Sequence, residues 1–130
     1  MQSINIKQIK ISINIKDTIN EYMNKYNIII DLSSFVDDYV ITGKLRRTDQ
    51  IMGVIMGANE QPISFYDFLK QYPIKVERVV GTDLFTIIDG RHRMTRAIIE
   101  GLKNIPVQVI ENVSFVTTRH VEKWKRASYK

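Results

Sequence analysis

The chain has no cysteine, which excludes disulfides, thiolate catalysis and cysteine-ligated zinc together. It also lacks any long apolar stretch: the longest uninterrupted runs, Ile28-Ile29-Ile30 among them, stop at three residues. A membrane-spanning helix needs about 20. Nothing after Met1 has the pattern of a signal peptide, and the expectation is a cytoplasmic protein with no membrane partner. Proline and glycine are sparse, at 3 and 6 residues, and no low-complexity linker or internal repeat divides the sequence. A single domain over residues 1–130 is therefore expected, with an N-terminal elaboration over 1–45 and a basic tail over 111–130.

What is present fits a folded chain, since 44% of residues are hydrophobic and 25% charged. The net charge of +5 makes an anionic partner a natural expectation. The basic residues gather at Lys44-Leu45-Arg46-Arg47, between Arg91 and Arg96, and between Arg119 and Lys130, whereas acids such as Asp31, Asp37 and Asp38 lie elsewhere.

Residues 4–15 alternate, with Ile9, Ile11, Ile13 and Ile15 on one face, which reads as a strand or hairpin-like pair with a slip near Gln8. Asp17-Thr18 is read as the cap of a short helix carrying Ile19, Tyr22, Met23 and Tyr26 and ended by Asn27. Residues 28–42 are ambiguous, strand-like at 28–30 and helix-like from Ser33-Ser34. Thr48 can cap a helix over 49–56 that stops at Gly57, and Ser64 a helix bearing Phe65, Phe68 and Leu69 that Pro73 closes. The C-terminal half is clearest: a strand over 74–80, a turn at Gly81-Thr82-Asp83, a strand over 84–88, a helix over 91–100 capped by Gly101, and a strand over 105–110. The fold class expected is α/β (α+β), a small mixed sheet flanked by helices.

The chemistry concentrates at Asp89-Gly90-Arg91-His92-Arg93. A strand that opens directly onto a helix collects unpaired backbone N–H groups and the positive end of the helix dipole at one spot, which attracts phosphate oxygens. Gly90 lets the backbone approach an anion, and Arg91, His92 and Arg93 can add charge-assisted hydrogen bonds. Helical spacing turns Met94, Ala97, Ile98 and Leu102 toward the sheet and leaves His92, Arg96 and Arg93 outward or along the turn. Arg93, at the rim of that stripe, is expected to be removable with little loss of stability. Arg96 stands four residues from Glu100 and can pair with it instead of a ligand.

Asp89 admits two readings, a ligand for magnesium or another divalent cation beside a bound phosphate, or a cap on the helix. His92, with an ordinary pKa of about 6.5, can donate to a phosphate or act as a general acid. Glu77 and Asp83 are lesser acidic candidates; Glu77 can equally balance Lys75 on an exposed strand face, and Asp83 suits a turn. In the tail, Trp124 can stack on a base or anchor a helix, and His120 is read as a bystander.

The segment Ile87-Ile88-Asp89-Gly90-Arg91-His92-Arg93-Met94-Thr95-Arg96-Ala97, with Gly101 and Ile105-Pro106-Val107, resembles the signature of the ParB N-terminal/sulfiredoxin superfamily, and Pro73-Ile74-Lys75-Val76 is similar to the strand that precedes its turn. The resemblance spans residues 73–110 and, more loosely, 46–56; the first forty residues stand outside it. It implies a ParB/sulfiredoxin-like fold and a turn that holds ATP, ADP or CTP phosphates or handles DNA. Sulfiredoxin carries cysteine where this chain has Arg91, so sulfinic-acid reduction is not expected. Partition proteins continue into further domains, and a complete protein of that kind is not expected either. The resemblance implies first a DNA-associated protein of the ParB-like nuclease group, gripping phosphodiester backbone with Gly90, Arg91, His92, Arg93, Arg96, Arg46 and Arg47. Asp89 and His92 would be catalytic, and Asp89 would hold the metal. The alternative is an ATP- or CTP-binding switch, NTPase or phosphotransferase using the same turn, and a third reading is an adaptor that kept the fold without the chemistry. A homodimer is compatible with each.

Overall fold

The computed structural model describes residues 2–39, 45 and 63–110. The expected helix over 49–56, Arg46, Arg47, His120, Trp124 and the basic tail lie outside those residues. Among them the chain forms an α+β fold: a mixed four-stranded sheet, a two-stranded parallel pair and three α-helices.

The N-terminal alternation is broken by side chains that recruit the backbone. Strand β1 (Gln2–Asn5) ends because Asn5 caps a 3-10 turn over Ile6–Gln8, its Oδ1 accepting from Lys7 N at 2.9 Å while Gln8 Oε1 accepts from Asn5 N at 3.1 Å. The slip expected near Gln8 is this turn. Ile9 and Ile11 are fully buried, and β2 covers only Ile11–Ser12. Helix α1 then runs over Ile13–Tyr26 with Ser12, not Asp17-Thr18, as its N-cap; Ser12 Oγ accepts from Ile15 N at 3.4 Å. The change from strand to helical period explains why Ile13 is 64% exposed although Ile15 and Ile19, one turn apart, are buried. Thr18 lies inside the helix and donates to Asn14 O. Asn27 ends the helix as expected, in the left-handed region at φ 52°.

Residues 28–30 form no strand, and Ile29 is 96% exposed. The chain instead turns at Asp31, whose Oδ1 accepts from Ser33 N and Oγ at 2.9 and 2.6 Å, before β3 (Asp37–Asp38) pairs in parallel with β2. Ser64 caps helix α2 (Phe65–Gln71), accepting from Asp67 N at 3.1 Å, and Pro73 follows its end.

The sheet order is β1-β6-β4-β5, from β4 (Ile74–Arg78), β5 (Phe85–Asp89) and β6 (Asn104–Val109). The β4–β5 pair is antiparallel, β4–β6 parallel and β1–β6 antiparallel, so the sheet is mixed. The two hairpin strands are displaced from their expected bounds because Thr82 closes the loop: its Oγ1 donates to Val79 O at 2.8 Å and accepts from Leu84 N at 3.1 Å. Helix α3 covers Arg91–Ile99 and joins β5 to β6. One core unites Ile4, Ile74, Val76, Phe85, Ile105 and Val107 of the sheet with Ile15 and Ile19 of α1, Phe65 and Leu69 of α2, and Met94, Ala97 and Ile98 of α3. Leu45 is buried in the same core.

Candidate functional site

The turn is built by a register shift. In the β4–β5 ladder Val76 faces Ile87 and Lys75 faces Asp89, so Ile88 is bulged out and the end of β5 is re-aimed as it meets the helix. Gly90 follows at φ 111°, ψ 29°, a conformation that a side chain would strain. Its carbonyl accepts from Met94 N at 2.8 Å, the first helical bond. As glycine, it offers the first turn no side-chain cap, and that turn contains no acidic residue. The backbone amides of Arg91, His92 and Arg93 therefore begin the helix without a carboxylate among them, where the dipole favours an anion.

The three basic side chains are used differently. Arg93 is tied inward: its Nη1 donates to Tyr72 O at 2.6 Å and Pro73 O at 3.0 Å, and its Nη2 to Asp89 Oδ2 at 3.2 Å. These bonds pin the end of α2 to the turn. The guanidinium also lies over Gly90, where a Cβ would come within 3.0 Å of Nη2 and 3.2 Å of Cζ and Nε. Gly90 thus makes room for Arg93 itself, and Arg93, expected at the rim of the helix stripe, is instead bound inward. Arg91 and His92 are half-buried at the start of α3. Burial draws the Arg91 pKa down, but a guanidinium still carries its charge at any physiological pH.

Arg96, expected on an outward face, is buried. Its Nε donates to Glu100 Oε1 at 2.9 Å, the i,i+4 pair anticipated from sequence, and its guanidinium carbon sits 5.0 Å from the Phe65 ring centroid. The side chain covers the core beside α2, which removes it from the surface of the turn. Glu77 is likewise buried rather than on an exposed strand face, and Asp83 lies in the hairpin loop, its carbonyl accepting from Gln8 Nε2 at 3.1 Å.

Asp89 does not cap α3. Its carboxylate is 64% exposed and pairs with Arg93, so a divalent cation would have to displace that guanidinium to use Oδ2. Among the described residues no group of three or more His, Asp or Glu side chains is arranged to hold a metal ion. The structure therefore brings Asp89, Gly90, Arg91, His92 and Arg93 together and sets Arg96 apart. Sequence reasoning missed Tyr72 and Pro73, whose carbonyls receive Arg93; the signal available was the proline, which keeps Tyr72 out of the helical region, at φ −128° and ψ 70°, and ends α2 at the turn.

Among the described residues no helix is long and apolar enough to cross a membrane. Comparison of the chain with protein-family models, curated proteins and solved structures finds no match.

Proposed function

We propose that this protein binds the phosphate of a nucleic acid or a nucleotide at the start of α3, as the resemblance to ParB-like proteins implies. The observation that carries the reading is the helix N-terminus at Gly90, with no side-chain cap, no acid in its first turn, and Arg91 and His92 at its first two positions. Backbone donors and the dipole attract an anion there, and the two side chains add charge-assisted bonds. The overall charge of +5 favours the DNA backbone as the source of that phosphate. The reading is one of binding: cleavage would require Asp89 and His92 to act on a bound phosphodiester, and Asp89 is held by Arg93.

Titration of a short duplex at several salt concentrations tests this. Affinity should fall steeply as salt rises, because the contacts displace counterions. Arg91→Gln together with His92→Gln should weaken binding when variant and wild type are compared at equal fraction folded. DNA affinity that is indifferent to both salt and the double substitution refutes it. A second reading, a nucleotide as ligand, is favoured by the compactness of the basic turn among the described residues, and parallel titration with ATP and CTP decides between the two.

A further inference from the structure

Helix α2 carries a ladder of rings that climbs from the core to the surface beside the turn. Phe65 is buried against the Arg96 guanidinium, Phe68 stacks on it with centroids 5.9 Å apart and planes 18° apart, and Tyr72 leans on Phe68 at 5.1 Å. The ladder ends exposed, with Tyr72 at 56%. Tyr72 is also the residue whose carbonyl receives Arg93 Nη1 at 2.6 Å, and the same guanidinium reaches Asp89 and covers Gly90. One guanidinium therefore separates the Tyr72 main chain from the turn that begins α3.

An exposed phenol ring costs solvation, and this one has its position fixed from both sides: behind it by Phe68, and through its own backbone by Arg93. A rigid ring with an apolar face and a wet edge is suited to stack a planar π system. The basic turn, joined to the Tyr72 backbone through the Arg93 guanidinium, would supply the other half of a nucleoside phosphate. We propose that Tyr72 is the base-stacking residue of this site, and that the ligand is a nucleoside phosphate with an unpaired base, either a free nucleotide or a segment of single strand. A base inside a duplex is already stacked on both faces and offers Tyr72 nothing. The inference rests on the phosphate-binding reading of the α3 start and adds to it a preference for ligands that carry a free base.

The test compares wild type, Tyr72→Ala, Tyr72→Leu and Tyr72→Phe in titrations with tripolyphosphate, ATP, a thymidine decamer and a 12-base-pair duplex. Tyr72→Leu preserves apolar packing on Phe68 without a π face, so it separates stacking from support of α2. For ATP or the decamer, Tyr72→Ala and Tyr72→Leu should both lose about 5- to 150-fold in affinity and Tyr72→Phe should retain it. Tripolyphosphate binding should be the same in all four proteins, and the duplex should show no loss. A loss on ATP alone identifies a free nucleotide, and a loss on the decamer identifies single strand. If ATP and the decamer bind all four proteins equally, Tyr72 does not stack a base, although the phosphate grip stands. If the loss extends equally to tripolyphosphate, Tyr72 only supports the turn and the inference falls. If wild type binds none of the four ligands, the phosphate grip itself fails and the inference goes with it.

Discussion

Replacing Gly90 by alanine should damage the fold through two separable effects. The first is backbone strain: φ 111° with ψ 29° lies beyond the small left-handed well that L-residues visit, at a cost of about 1 to 3 kcal/mol. The second is contact. A Cβ would stand 3.0 to 3.2 Å from the Arg93 guanidinium, which cannot retreat freely because Nη1 is held at 2.6 Å by Tyr72 O and at 3.0 Å by Pro73 O. Weakening those charge-assisted bonds forfeits about a further 1 to 2 kcal/mol, discounted because the site is partly solvated. The total is about 2 to 5 kcal/mol, or about 6 to 20 °C in Tm for a chain of this length. Urea unfolding of wild type, Gly90→Ala, Arg93→Ala and the double variant measures both parts. In the Arg93→Ala background Gly90→Ala should cost only the strain, so the cycle should show a coupling of about 1 kcal/mol or more. Gly81→Ala serves as a control, since Gly81 has φ 77° and nothing within 4 Å of a Cβ. An equal cost for Gly90→Ala in both backgrounds would refute the claim that Gly90 exists to accommodate Arg93.

Arg93→Ala alone should destabilise by about 2 to 3 kcal/mol, because it strands the Tyr72 and Pro73 carbonyls and the Asp89 carboxylate; a change within about 0.5 kcal/mol by urea unfolding would contradict this. Arg96→Ala should cost about 1 to 2 kcal/mol through lost packing on Phe65 as much as through the Glu100 pair, so raising salt should recover little of the difference between it and wild type. Asp31 is held below the ordinary carboxylate range, first by the Ser33 hydroxyl and then by the Ser33 N–H. Its contribution is present above the unfolded-state pKa and lost as pH falls through the folded one, and Ser33→Ala should move the Asp31 titration upward in an NMR pH series. No movement would remove the hydroxyl as the cause.

The C-terminal half was legible because each element carries its own punctuation. Ser64, Pro73, Gly81, Gly90 and Gly101 mark caps and turns whose chemistry is local, and the structure places α2, the hairpin, α3 and β6 between them. The N-terminal segment was not, because its isoleucines satisfy two periods at once. Ile9, Ile11, Ile13 and Ile15 alternate as in a strand, while Ile15 and Ile19 also share a helical face; Ser12 decides between them by capping, and a serine in an alternating run looks like an outward strand residue. Ile28-Ile29-Ile30 failed for the opposite reason. Apolar composition alone promised burial, but Asn27 turns the chain left-handed and Asp31 begins an Asx turn, which leaves Ile29 stranded between them.

At the turn, sequence located the motif but could not apportion its residues. A cluster such as Asp-Gly-Arg-His-Arg next to a helix start reads as uniformly ligand-facing, since every member has the right charge or freedom. The structure divides it. Asp89, Gly90 and Arg93 form a unit in which the glycine admits the guanidinium and the carboxylate pairs with it, and that unit fastens α2 to the turn. Arg91 and His92 remain at the helix start, where the amides and the dipole act. The distinction governs how substitutions should be interpreted. Weakened binding in Arg93→Ala can follow from a displaced α2 without any contact to ligand, so it is informative only when compared at equal fraction folded. The double substitution of Arg91 and His92 needs the same comparison, because both residues also interact within the chain; a loss that survives it reports on the phosphate.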